Sequence, residues 1–274
     1  MLSAAVVLNA VALDGDLHGL LLRCAAGFAV ALVIAAAAWR LRAVTSDGAL
    51  AAIAIGTLAF GGGGWPVAAA LIGFFVTGSV LSRRDGPRDG RQVLANGALA
   101  ALLASAAGAA EIVHAAVATA LLSAAVGAIA AAAGDTWSTE IGRSHGGQPR
   151  SIVSGRPVAI GDSGGVTVWG TAAAPLGGIV IGVLAAVAAR QRAFILVGGL
   201  AAICGSLGDS LLGATLQARW RCPACGITHE SRAHPCAAAQ VLVSGWPLFD
   251  NDAVNFAATL VGAACGYILA LALE

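Results

Sequence analysis

Long apolar runs, separated by short polar segments that carry the arginines, extend through most of the chain. Runs of about 20 apolar residues cross a hydrocarbon core of about 30 Å as helices. Such runs occupy Leu17–Trp39, Pro66–Ser82, Leu94–Ala110, Ile112–Ala133, Val166–Ala189, Ala193–Gln217 and Asp252–Ala272. A shorter run, Gly48–Phe60, abuts Gly61-Gly62-Gly63-Gly64. It reads either as a tilted span that turns at the glycines or as a re-entrant segment. The first 13 residues are also apolar and either extend the first helix or lie at the interface. The pattern predicts an all-α, polytopic integral membrane helical bundle of about seven or eight transmembrane helices. It would form a single transmembrane domain over 1–274, with a Cys/His loop, 218–251, inserted between the last two helices.

Composition supports lipid as the solvent. Apolar residues make up 58% of the chain and charged residues 11%, where a soluble domain carries roughly a quarter. Mean hydropathy is +0.86. All 15 basic residues are arginine, so any phosphate-binding cation must be Arg and a Walker-type Gly-Lys motif is excluded. No positively charged segment precedes the first apolar run, so no removable signal peptide is expected. The net charge of +1 identifies no partner, and no nucleic acid is expected.

The arginines orient the spans. If Gly48–Phe60 crosses, one side carries Arg40, Arg42, Arg83, Arg84, Arg88, Arg91, Arg143, Arg150, Arg156, Arg219, Arg221 and Arg232. The other carries Arg190 and Arg192, and Arg23 falls within a span. That imbalance marks the first side as cytoplasmic, and it collapses if Gly48–Phe60 does not cross. Trp39, Trp65, Trp169, Trp220 and Trp246 fall near span ends, as aromatic belts do. The expected setting is a bacterial inner membrane with the C-terminus outside. The cytoplasmic side then owns the long polar segments, Arg83–Val93, Gly134–Gly165 and Ala218–Asn251. That distribution favours an enzyme or a cytoplasm-facing binder over a receptor.

The densest polar stretch, Gly134–Gly142, follows Ile112–Ala133 directly and holds Asp135, Thr136, Ser138, Thr139 and Glu140. Two carboxylates with hydroxyls suit a Mg²⁺ ion and phosphate oxygens. Helix capping would explain one of these residues, not all of them. Positions five apart do not share a helical face, so Asp135 and Glu140 either leave the helix or act separately. Further on, Gly161, Asp162, Ser163, Gly164 and Gly165 precede a span, the arrangement of a glycine turn that presents backbone N–H groups to phosphate. Arg143, Arg150 and Arg156 lie between the two motifs. Asp209 sits within an apolar run, with Ser206, Ser210, Gly213 and Gln217 on the same helical face. An intramembrane carboxylate faces a cavity, a cation or a partner. Asn96 and Asn255 sit near helix ends, where site contacts and interhelical hydrogen bonds are both open.

Cys24, Cys204 and Cys265 lie in spans and read as packing residues. Cys222 and Cys225 form a Cys-x-x-Cys knuckle, followed by His229, His234 and Cys236. This spacing predicts a structural Zn²⁺ site of Cys222, Cys225, His234 and Cys236, with His234 preferred over His229. A cytoplasmic location argues against a disulfide.

Taken together, Gln92–Gly97, Gly134–Gly142, Gly161–Gly170, Gly205–Gln217 and Asp252–Phe256 resemble the phytyl-phosphate (prenyl-phosphate) kinase family over about Thr45–Leu271. That family is distantly similar to dolichol kinases and phosphatidate cytidylyltransferases. The resemblance implies phosphoryl transfer from a nucleoside triphosphate, CTP first, to an isoprenoid lipid monophosphate such as phytyl phosphate. Two positions depart from the family pattern. Its glycine turn usually reads Gly-Thr-Asp/Asn-Gly-Gly, and its loop His-Cys pair is contiguous, whereas Pro235 intervenes here.

In the mechanism expected, Asp135 and Asp209 hold Mg²⁺ with Glu140 in support. Gly161–Gly165 cradles the nucleotide, with Asn96, Thr136, Ser138 and Asn255 as further binding positions. One of Arg143, Arg150 and Arg156 neutralises charge, Arg143 and Arg156 being the leading choices. Two other readings compete. A CTP-dependent cytidylyltransferase would release pyrophosphate. An ion-coupled transporter would use Asp209 as its coupling site.

Overall fold

The computed structural model describes residues 17–82, 86–111, 114–231, 234–236 and 239–273, the first two of them by backbone only. The expectations for the first 13 residues, for Ile112 as a helix start, and for Arg83, Arg84 and Arg232 lie outside the described residues. Seven helices are long and apolar enough to cross a membrane among those described. They are α1 (Leu17–Arg40), α2 (Ser46–Leu81), α3 (Gly90–Ala110), α4 (Ala115–His145), α5 (Val168–Ala189), α6 (Ala193–Thr215) and α7 (Asn251–Leu273). Five short strands are the remaining elements. β1 (Arg150–Ser151) pairs antiparallel with β2 (Gly165–Val166). β3 (Arg219–Arg221) lies between β4 (Thr228–His229) and β5 (Val241–Ser244), antiparallel to both.

The helix α2 is a hairpin. A straight helix would hold Thr45 and Gly78 about 50 Å apart. Instead the Thr45 N–H donates to the Arg88 carbonyl at 3.0 Å, while a Cβ on Gly78 would lie 3.0 Å from Arg88 Nη2. The reversal is at Gly64, whose φ of 58° and ψ of −155° are open to glycine alone. Pro66, without an N–H to satisfy, starts the return arm. The outgoing arm follows α3 in parallel: the Gly90 N–H donates to Asp47 Oδ2 at 2.8 Å, and Gly62 packs on the Ala104 and Ser105 backbone. Gly48–Phe60 therefore lies in a full-length arm, and the seven helices make eight passes.

This alternation brings Arg40, Arg42, Arg88, Arg91, Arg143, Arg150, Arg156, Arg219 and Arg221 to one end of the bundle. Arg190 and Arg192 lie at the other, where Arg23 pairs with Glu111 at 3.8 Å.

The centre of the bundle is α4, with 67% of its most apolar window buried. Small residues let its neighbours approach backbone to backbone. Gly127 meets the Gly262 carbonyl of α7, and Gly134 meets Ala202 of α6. In lipid, such close packing supplies the attraction that hydrophobic burial supplies in water.

Two boundaries differ from expectation: α3 starts at Gly90, four residues before Leu94, and the larger difference is at the end of α4. The span was expected to end at Ala133, but α4 continues to His145, so Gly134–Gly142 is helical. Packing explains this: Gly142 and Gly170 lie closely enough to hold the last turns against α5, while the Thr136 hydroxyl is satisfied within the helix on the Ala132 carbonyl at 2.9 Å. The connecting loop begins only at Gly146.

Candidate functional site

A polar cleft with about 250 Å³ of free space opens at the arginine-rich end. It wraps the last turns of α4, so Asp135 and Glu140 both line it although they point about 140° apart on the helix. Thr136, Ser138 and Arg143 line it from α4, Gly161–Gly165 from the following loop, Asp209 from α6, and Asn255 from α7.

Asp135 and Asp209, on different helices, lie within hydrogen-bonding reach of each other. Asp209 Oδ1 is buried and has no hydrogen-bond partner among the described residues. A buried carboxylate oxygen without a donor is costly unless a cation or proton meets it. Arg143 Nη1 lies 4.0 Å from Glu140 Oε1. Among the described residues, five carboxylates line the cleft, from Asp135, Glu140, Asp162, Asp209 and Glu230, against the single guanidinium of Arg143. A polyphosphate entering this field needs divalent cations with it.

Three expected participants lie elsewhere. Asn96 lines a separate apolar cavity, and its side-chain amide donates to the Gln92 carbonyl at 3.0 Å. Arg150 and Arg156 are exposed and are not among the residues lining the cleft. Arg150 Nη1 donates to the Gly155 carbonyl at 3.0 Å, within its own hairpin.

Glu230 was not anticipated. Its Oε1 accepts from the Ser163 N–H at 2.9 Å, and its Oε2 accepts from Ser163 Oγ at 2.8 Å and from Gln217 Nε2 at 2.9 Å. One donor of the glycine turn is thus already engaged. A second tie joins the same segments: Arg219 Nη2 lies 3.3 Å from Asp162 Oδ1. The turn depends on Gly164, at φ 78°, where a side chain would collide with Ala214 of α6. Thr139, Ser210 and Asn251 also line the cleft. Ser210 adjoins Asp209 on the polar face recognised in sequence. Glu230 had no such signal, because it belongs to a different loop.

That loop carries the metal-ligand cluster. The ligand atoms of Cys222, Cys225, His234 and Cys236 all lie within 4.8 Å of one another, so the four could hold one metal ion. His229 stacks on His234 at 4.6 Å between ring centroids, and its Nε2 lies 2.8 Å from Gln240 Oε1. It is a support for the cluster and not a member. Burial opposes ionisation of Cys222, but hydrogen bonds from the Cys225 and Ala224 backbone outweigh it and hold the thiol at about 7. Hydrogen bonding to Cys225, then burial, pushes Cys236 up to about 11. All the described cysteines are free thiols. A compact tetrad of three sulfurs and one imidazole suits a closed tetrahedral site.

Comparison with known proteins agrees with this membrane architecture. The chain is 30% identical to Protein PGR of Arabidopsis thaliana over 266 residues, 85% of this chain and 91% of that protein. It is 25% identical over 268 residues to an uncharacterized membrane protein of Methanocaldococcus jannaschii, covering 94% and 98% of the two chains. No solved structure matches. Residues 29–263 match the family described as integral membrane protein DUF92, and the chain belongs to that family.

Proposed function

We propose that this protein is a membrane phosphotransferase. It would move a phosphoryl group from a nucleoside triphosphate, CTP by resemblance, to an isoprenoid monophosphate and yield the diphosphate. The observation that carries this reading is the cleft itself. It joins a carboxylate pair with an unpartnered buried oxygen, a glycine turn and one arginine at the arginine-rich end. By the positive-inside rule that end faces the cytoplasm, where nucleotides are.

The donor set fits Mg²⁺, which prefers carboxylate and phosphate oxygens. Asp135 and Asp209 would hold it, with Glu140 nearby. When bound, Mg²⁺ neutralises phosphate charge, the main requirement of phosphoryl transfer. Arg143 supplies the remaining positive charge in the cleft. The acceptor is an ionised monophosphate, so no strong general base is needed. The Cys222, Cys225, His234 and Cys236 site would hold a structural Zn²⁺, since four protein ligands leave no open position.

The test is purified protein in detergent with Mg²⁺, a panel of nucleoside triphosphates and a panel of prenyl monophosphates, read by mass spectrometry. A prenyl diphosphate with a nucleoside diphosphate is the expected result. Pyrophosphate with a nucleotidyl lipid would instead identify a cytidylyltransferase. Ion flux in proteoliposomes without nucleotide turnover would identify a transporter.

A further inference from the structure

A second cavity, apolar and with about 110 Å³ of free space, lies between α1, both arms of α2, and α3. Its walls include Ile34, Ala52, Leu71 and Phe75. Along α1 it runs from Gly27 to Ala38, about 16 Å and roughly half the hydrocarbon thickness. One end is polar, with Arg88, Gln92 and Asn96 in the lining. The Asn96 amide N–H₂ donates to the Gln92 carbonyl at 3.0 Å, and Gln92 is exposed, so this end of the cavity is open.

The Arg88 guanidinium is held in place. It lies over the Phe74 ring at 5.7 Å from the centroid and packs against Gly78. Gly78 is one helical turn before Ser82, and Ser82 lines the polar cleft. Arg88 therefore stands at the mouth of the apolar cavity, one turn from the site of chemistry.

We infer that this cavity holds the isoprenoid chain of the lipid phosphate. The tail lies along α1, and the phosphate passes Arg88 and Ser82 into the polar cleft. The identity of the lipid rests on the phosphotransferase reading. The cavity's apolar length, its cationic mouth and its adjacency to the cleft suit a single-chain anionic amphiphile. Tails longer than the cavity would project into the bilayer, so affinity should rise with chain length and then level off.

The experiment uses the full-length protein in nanodiscs with geranylgeranyl monophosphate carrying a diazirine at the far end of the tail. After irradiation, adducts are mapped by peptide mass spectrometry. Expected are adducts on the inner face of α1 and the outgoing arm of α2, competed by unlabelled geranylgeranyl monophosphate and not by phosphatidylglycerol. Ala52→Phe, which fills the cavity, should reduce labelling at least tenfold while leaving Mg²⁺–nucleotide binding intact. The outward-facing control Ala54→Phe should keep labelling. Adducts confined to outward residues such as Leu21 or Val187, equal competition by phosphatidylglycerol, or equal loss in both variants would overturn the inference. Tail labelling in the cavity without phosphoryl transfer would overturn the kinase reading alone. Transfer with the tail labelled elsewhere would overturn the cavity alone.

Discussion

Glu230 grips Ser163 with both carboxylate oxygens, one on the backbone N–H at 2.9 Å and one on the hydroxyl at 2.8 Å. Glu230 directly follows β4 in the loop that carries the metal ligands, and Ser163 sits in the glycine turn of the cleft. The metal-binding loop therefore touches the candidate active site through Glu230, beside the Arg219–Asp162 pair at 3.3 Å. Gln217, which is buried, holds the same carboxylate from the end of α6 at 2.9 Å.

Glu230→Ala should loosen the turn without emptying the metal site. Hydrogen bonds to a charged group are each worth about 2 kcal/mol, so amide exchange at Ser163 should accelerate about thirtyfold. Hydrogen-exchange mass spectrometry of 161–165 checks this. Metal content should stay at the wild-type value, because Glu230 is not a ligand.

Asp135 and Asp209 should be inseparable in function. Either substitution to Asn keeps the shape and removes half the charge of the pair. Phosphoryl transfer should fall by on the order of 100-fold in each. Mn²⁺ binding, followed by electron paramagnetic resonance, should weaken in parallel. A variant with normal Mn²⁺ affinity and normal turnover would remove that residue from the site.

Cys222 should be the most sensitive position of the tetrad, being the buried ligand and the thiol held at about 7. Cys222→Ser should take bound zinc from about one per chain to near zero by elemental analysis, because the site needs its thiolates. Thermal stability in detergent should fall as well. Cys265→Ser, within α7, should retain full zinc.

Gly64 should tolerate no side chain. Gly64→Ala forces a strained backbone at the α2 reversal, a cost of about 1–3 kcal/mol. A lower melting midpoint in detergent is the expected outcome. Gly208→Ala is the control: it lies within α6, where a Cβ would make only ordinary contacts from 3.4 Å outward. It should be neutral or stabilising.

The spans were legible because lipid demands long apolar helices, and such runs announce themselves one residue at a time. The α2 hairpin was half legible: four glycines marked a turn, and the arginine count required a crossing, but only the structure singles out Gly64, at φ 58° and ψ −155°, as the residue that reverses the chain. The metal tetrad was legible because its ligands sit close in sequence. The end of α4 was misplaced, because a polar segment reads as a loop unless a neighbouring helix holds it helical.

Sequence alone determined which residues live in lipid, which end of the bundle collects the arginines, and which short motifs carry oxygen, sulfur and glycine. Those properties are local, written in side-chain chemistry and spacing. Only the tertiary structure decided that Asp135 meets Asp209, that Glu230 reaches across 67 positions to Ser163, and that Asn96 belongs to an apolar cavity and not the cleft. Each of these depends on how helices pack, and packing is set by the sum of many small-residue contacts that no single stretch of sequence contains.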